Sequence, residues 1–306
     1  MAGWRLSELE LLPGGRHGSA SAVNDAGVVV GGTDTVDDTN HAVLWRDGRA
    51  IDLGTLGGWN SAASDVNAHE TVVGWSDTEP GIGARRVPFI WRNGSMVNLV
   101  TLGAPADFAP VSINDRDGVV GSSRTKEGLR HAFVWRDGEM IDLGTLVRGV
   151  YQTSHAADID NSGRVVGYAT VDNMNTVPVM WENGQIRPLT ERAGAASAIN
   201  SRGQVVGGLS TGPESFLWSD GDLTVIGPIA GEMYAQAHGV DRDGRVVGST
   251  GLRAFIWHGG LFEWLPGLST GASTPSAISD NGKFIIGGSS ATPDGLTPRP
   301  VIWTNR

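Results

Sequence analysis

The chain has 306 residues, 33 acidic against 23 basic, and its net charge of −10 repels phosphate backbones and argues against a nucleic-acid partner. It has no cysteine, which removes disulfides, thiolate metal sites and a cysteine nucleophile. No apolar run approaches the roughly 18 residues a membrane helix needs, and no Lys/Arg run suggests a membrane surface.

In chain order, the first stretch shows no basic segment followed by an apolar one, so a cytoplasmic protein is expected unless a leader was trimmed. Residues 6–12 match residues 51–56 and read as an orphan outer strand. The first full copy follows. A small-residue strand ends in Val23, a tight turn runs through Asn24 to Gly27, and an apolar strand Val28-Val-Val30 is closed by Gly31. A third strand, His41-Ala-Val-Leu-Trp45, turns at Asp47-Gly48 into a fourth that ends Asp52-Leu-Gly-Thr-Leu56. The same order returns at Trp91, Trp135, Trp181, Trp218, Trp257 and Trp303, 37 to 46 residues apart. Short apolar strands, Gly-rich turns and this period describe propeller blades. After Trp303 only Thr304-Asn-Arg306 remain, so the last copy lacks a fourth strand, and residues 6–12 are expected to supply it. The expectation is all-β: a seven-bladed β-propeller of four antiparallel strands per blade, one domain over residues 1–306.

The strand His131-Ala-Phe-Val-Trp135 with the following Asp142-Leu-Gly-Thr-Leu146, repeated with Asn-x-x-Gly-x-Val-Val-Gly spacers, resembles the HAF repeat family over essentially the whole chain. The resemblance implies propeller-type repeats labelled extracellular and brings no reaction with it.

Function is sought where copies depart from the repeat. His155 and Asp158 interrupt one first strand, Gln236 and His238 another, and Asp65 matches Asp158. Imidazole and carboxylate near a channel mouth suit general acid/base chemistry, with His155, His238 and Asp158 as the catalytic candidates. The plainer alternative is a polar lining that holds water. Period-two alternation puts His155 and Asp158 on opposite faces of the strand. The variable connections carry His17, Trp59, Phe108, Tyr151 and Tyr234, and with Asp65, Arg130 and Gln236 these are the ligand-binding candidates, suited to a sugar or flat organic molecule. The longer fourth-to-first and second-to-third connections share one face, and the site is expected there. The Asp158-Ile-Asp-Asn-Ser-Gly163 stretch imitates an EF-hand start but lacks the later ligand. No nucleophile-elbow, zincin, phosphate-loop or dinucleotide motif occurs.

The expected function is therefore binding of a small organic or carbohydrate ligand at the channel mouth, with or without lyase-, cyclase- or isomerase-type acid/base catalysis. The alternative is a non-catalytic protein-interaction or carbohydrate-binding scaffold. No cofactor is expected, a divalent metal in the channel is not indicated, and a monomer is expected.

Overall fold

The computed structural model describes residues 3–102, 107–147, 152–172, 175–210, 212–229, 231–294 and 298–305. Among these, twenty-eight strands form seven four-stranded antiparallel sheets, one per repeat. The first blade is β2 (Gly18–Val23), β3 (Val29–Asp34), β4 (Asn40–Arg46) and β5 (Arg49–Gly54). The last is β26 (Ser273–Ile278), β27 (Phe284–Ser290) and β28 (Pro298–Thr304), completed on its outer edge by β1 (Arg5–Glu8). Arg5 stands opposite Thr304 and Glu8 opposite Val301, so the two ends of the chain share a sheet and close the ring. The seven-bladed propeller expected from the repeats is the fold.

The recurring residues each have a local job. At the third-to-fourth turns, Asp47-Gly48, Asp137-Gly138 and Asn183-Gly184 all take positive φ at both positions, as a two-residue turn between twisted strands requires. At the first-to-second turns the Asn side chain works twice. Asn114 Oδ1 accepts the N–H groups of Arg116 and Gly118 at 3.1 and 2.9 Å, while its Nδ2 donates to the Asp160 carbonyl of the next blade at 2.9 Å. Asn24, Asn67 and Asn200 reach the following blade in the same way. His41 and His131 place Nδ1 2.9 Å from Asp52 and Asp142, pinning third strand to fourth. The His-Ala and Asp-Leu-Gly motifs thus recur together because they bond each other.

The core lies between blades rather than within them. Seven apolar clusters each join two neighbouring blades, and each takes one repeat tryptophan. Six of the seven are buried, and Trp91 is partly buried.

The Gly that closes every second strand answers to a second regularity. Pairing between first and second strands slips by one residue in all seven sheets, as between Ala63 and Asp65 or Ala156 and Asp158. This β-bulge pushes a first-strand carbonyl toward the facing residue. A Cβ on Gly167 would fall well inside contact distance of the His155 carbonyl oxygen, and Gly31, Gly74 and Gly121 face the same obstacle. Gly167→Ala is expected to cost about 2–3 kcal/mol in urea unfolding. Gly208→Ala, where a Cβ meets nothing within 4 Å, is the control and should leave the midpoint nearly unchanged.

Candidate functional site

The bulge decides what faces the channel. The extra residue in each first strand is Ser21, Ser64, Val111, Ala157, Ser197, His238 or Ser276, and all seven line a central cavity of about 360 Å³. Among the described residues, no protein group bonds the hydroxyls of Ser21, Ser64, Ser197 or Ser276. The ring therefore offers four free hydroxyls on one side, and Val111 and Ala157 supply a small apolar wall on the other.

Beneath this ring sit the next residues of three consecutive first strands: β6 (Ser61–Val66), β10 (Ala109–Ile113) and β14 (Ser154–Ile159). The Ser112 Oγ lies 2.8 Å from Asp65 Oδ2 and 2.7 Å from Asp158 Oδ1. Asp65 also accepts the N–H groups of Val66 and Ile113, at 2.7 and 2.8 Å. Asp158 accepts those of Ile159 and Ile199, at 2.8 and 2.9 Å, so each carboxyl bridges its own blade and the next.

One hydroxyl carries one proton and cannot donate to two carboxylates at once. Both contacts are satisfied only if one carboxyl is protonated and donates to Ser112 Oγ, while Ser112 donates to the other. The electrostatics agree. Burial, reinforced by the charge of Asp158, pushes Asp65 up to about 7. Burial likewise pushes Asp158 up to about 6, against the backbone N–H groups that favour its ionised form. Between about pH 6 and 7 the group holds one proton along Asp65–Ser112–Asp158, with Asp65 the favoured holder.

The cavity opens toward the tight first-to-second turns. It is lined by residues such as Asn67, Ala68, Asp115 and Asn161, and by nothing in the first strands that precedes the bulge. The expectation of a site on the long-loop face therefore does not describe this cavity. The reason is that the bulges aim side chains at the opposite end of the channel. At this mouth, turn residues stitch the blades together: Ala68 donates to Asp115, Asp115 and Asn161 bond each other, Ser201 bonds Asp280, and Arg242 reaches both Asp25 and Asp280.

The predicted residues divide accordingly. Asp65, Asp158 and His238 line this one cavity. His238 Nε2 lies 3.1 Å from Ser249 Oγ, and burial lowers its pKa, favouring the neutral ring. His155 lies elsewhere, stacked on Tyr168 with centroids 4.7 Å apart. The period-two argument that set His155 and Asp158 on opposite faces is corrected by the bulge between them. The extra residue restores them to one side of the strand, two rungs of pairing apart. Phe108 is 3% exposed in the seam of blades 2 and 3, so it is a core residue rather than a stacking platform. Trp59 is 46% exposed beside Asp37, Asp38 and His41 in an open depression away from the channel. Tyr234 packs against Gly251, Gln236 is exposed at the start of its strand, and Arg130 bonds Ser122 Oγ at 3.1 Å. His17 pairs with Asp34 at 3.2 Å on the surface. Tyr151 lies outside the described residues. Sequence reasoning missed Ser112, the serine ring and Tyr168. The column Ala22, Asp65, Ser112, Asp158, Ala198, Gly239, Ala277 held the signal for Ser112, since three polar residues fall on consecutive blades.

No family model and no curated protein matches the sequence. Solved structures share the fold. Virginiamycin B lyase from Staphylococcus aureus is 14% identical, with a TM-score of 0.60 over 99% of this chain and 100% of that one. A streptogramin B lyase is 11% identical at a TM-score of 0.57, over 99% and 98% of the two chains. A YCF48 structure bound to D1 peptide is 12% identical at 0.54, over 100% and 96%. At these identities the likeness is one of architecture.

Proposed function

We propose that this propeller takes a small polyhydroxylated organic molecule, sugar-like in size, into the cavity at the tight-turn end of its channel and exchanges a proton with it. The observation that carries the reading is the Ser112 hydroxyl held between two half-buried carboxyls, beneath a ring of unpaired serine hydroxyls. A cavity of about 360 Å³ falls in the range of small-molecule sites. Its serine hydroxyls match a polyol's own, and Val111 and Ala157 match the apolar face of a sugar ring.

The shared proton favours an acid/base role as well as binding. Asp158, the carboxyl more fully ionised at neutral pH, would accept a proton from the ligand, Asp65 would supply one, and Ser112 would relay between them. That is the chemistry of a lyase, cyclase or isomerase step. The structural neighbours include lyases as well as a peptide-bound propeller, so the fold alone selects none of these. We also infer that the chain belongs with the HAF repeats, whose recurring His and Asp have a structural reason in the His41–Asp52 and His131–Asp142 pins.

Calorimetry with a panel of neutral monosaccharides and sugar alcohols tests the reading, run in two buffers of different ionisation enthalpy. Saturable binding whose heat depends on the buffer is expected, reporting a net change in the protons the carboxyl pair holds when a ligand covers it. Asp65→Asn should bind with buffer-independent heat, and replacing Ser64 and Ser276 by Val should weaken binding roughly ten-fold. If no panel member binds, or the wild-type heat does not depend on buffer, the reading fails.

A further inference from the structure

The long-loop face carries a concavity of its own, away from the channel, where blades 1 and 2 meet. The connection from β3 to β4 and the connection from β5 to β6 form it, and Asp37, Asp38, Thr39, His41, Gly58 and Trp59 line it. Among the described residues, Trp59 is the one exposed tryptophan, at 46%. Its backbone is tied on both sides. The Gly58 N–H donates to the Asp77 carbonyl at 3.1 Å, and a Cβ at Gly58 would collide with Asp77, so the loop lies close against blade 2. Asn60 Nδ2 donates to Asp77 Oδ2 at 2.9 Å, and its Oδ1 accepts the Asn40 N–H at 3.0 Å. A ligand that covers the indole therefore has little backbone left to order.

Other tryptophans of the chain show what such a ring takes. In blade 2, β7 (Val72–Asp77) and β8 (Arg86–Arg92) set the Arg86 guanidinium 4.0 Å from the Trp75 ring centroid and 3.6 Å from the Asp77 carboxylate. Arg253 lies 3.6 Å over Trp264 in blade 6, and Arg187 of blade 4 reaches Trp218 of blade 5 at 4.9 Å. Trp59 has the carboxylate without the cation. Among the described residues, no guanidinium lies over its ring, and no protein group bonds the Asp37 carboxylate. Arg16, the nearby arginine, is paired with Asp38 instead. His41 keeps Nδ1 2.9 Å from Asp52, so in the neutral ring Nε2 is left as an acceptor. An open indole face, a free carboxylate and a ring acceptor together suit a flat cation with several N–H donors.

We propose that this depression binds a guanidinium group from outside the chain, stacked on the Trp59 indole with its N–H groups directed to Asp37 and His41. The indole face attracts the cation, and a carboxylate accepts paired donors from the planar fork. The net charge of −10 favours the approach of such a cation. A neutral sugar would use the ring and leave the Asp37 charge unanswered. The guanidinium can come from a free small molecule or from an arginine side chain of a peptide, and the two differ in whether backbone contacts add to the affinity. The depression is separate from the carboxyl-lined cavity and does not depend on what fills it.

Titration of the full chain with methylguanidinium, with the peptide acetyl-Gly-Arg-Gly-amide and with methyl glucoside tests this, read from the Trp59 indole N–H resonance by NMR at fixed ionic strength. Saturable shifts with a Kd of about 1–10 mM are expected for at least one of the two cations. Equal affinities would identify a free guanidinium compound as sufficient, and a markedly tighter peptide would identify a peptide arginine. Asp37→Asn, which keeps the shape and removes the charge, should weaken binding by roughly three- to ten-fold. Trp59→Leu, followed on the Gly58 amide, should abolish saturation. Absence of saturable shifts with both cations would overturn the proposal, as would an Asp37→Asn protein that binds as tightly as the wild type. Tighter saturation by the neutral glucoside would overturn it too, and would make the depression a sugar platform.

Discussion

Removing residues 1–12 is expected to abolish the cooperative fold of the whole molecule rather than fray one blade. The segment does more than add β1 to the edge of the last sheet. Leu9 and Leu12 are buried in the seam of blades 7 and 1, against Val29, Val43, Trp45 and Ile286. Trp4 and Leu6 pack on the seam of blades 6 and 7, beside Trp303. The Glu10 carbonyl accepts the Trp45 indole N–H at 2.6 Å, and the Glu10 N–H donates to the Gly48 carbonyl at 3.0 Å. Two buried leucines lose about 1.5–3 kcal/mol each. The stranded indole N–H adds about 1–3 kcal/mol, and the open edge of β28 loses its ladder. The total, about 4–9 kcal/mol before the ladder is counted, is comparable to a typical domain's whole stability of about 5–15 kcal/mol. Thermal and urea unfolding of the truncated chain should show a broad or absent transition. Moving the same residues to follow residue 306 through an Asn-Gly turn should restore it, since the first five blades join their third and fourth strands by an Asp-Gly or Asn-Gly turn. A truncated chain that unfolds at the wild-type midpoint would show that the clasp is dispensable.

The ring and its closure were legible in the sequence because each structural job recurs from copy to copy. Trp fills a seam and Gly yields to a carbonyl in all seven copies, Asp-Gly or Asn-Gly makes the hairpin in five, and Asn caps a turn and reaches the next blade in four. Repetition on this scale separates these jobs from chance. The site was less legible because its deciding feature is a backbone irregularity with no residue type of its own. Nothing in Ser154-His-Ala-Ala-Asp-Ile159 announces an extra residue; the bulge is written in the facing strand, as Gly167. Without it, alternation sends His155 and Asp158 to opposite faces. Ser112 was hidden for a related reason. A serine among small first-strand residues looks like filler until Asp65 and Asp158 are seen to close on it from both sides. Phe108 misled in the opposite sense, because a variable connection is not always an exposed one.

The carboxyl pair also makes a stability prediction whose sign differs from that of an ordinary salt-bridged acid. Asp65 has a folded value of about 7 against an unfolded one of about 3.9, and Asp158 a folded value of about 6. Between those values the folded chain holds protons that the unfolded chain has released. The stability these groups contribute is therefore fully present below about pH 4 and is lost as pH rises through 6 and 7. From pH 5 to pH 8 the loss is about 3 kcal/mol, allowing for the contact both groups keep with the cavity. Asp34 and Asp52, whose pKa values are lowered, change stability only at more acid pH. His155 and His238, whose rings burial pushes below the usual value, gain stability as pH rises through the histidine range. That opposing change is shared by wild type and variant, so the comparison between the two isolates the carboxyl pair. Asp65→Asn replaces the protonated carboxyl with a neutral group of the same shape. Its amide oxygen can still accept from the Val66 and Ile113 N–H groups, and its NH₂ can donate to Ser112, leaving the Ser112 proton for Asp158. The variant should match the wild type at pH 5 and exceed it by roughly 2–3 kcal/mol at pH 8 in urea unfolding. Asp158→Asn should act in the same direction and by less, because its starting value is lower. An Asp65→Asn protein less stable than wild type at both pH values would mean that Asp65 is ionised in the folded chain, and the shared proton would have to be given up.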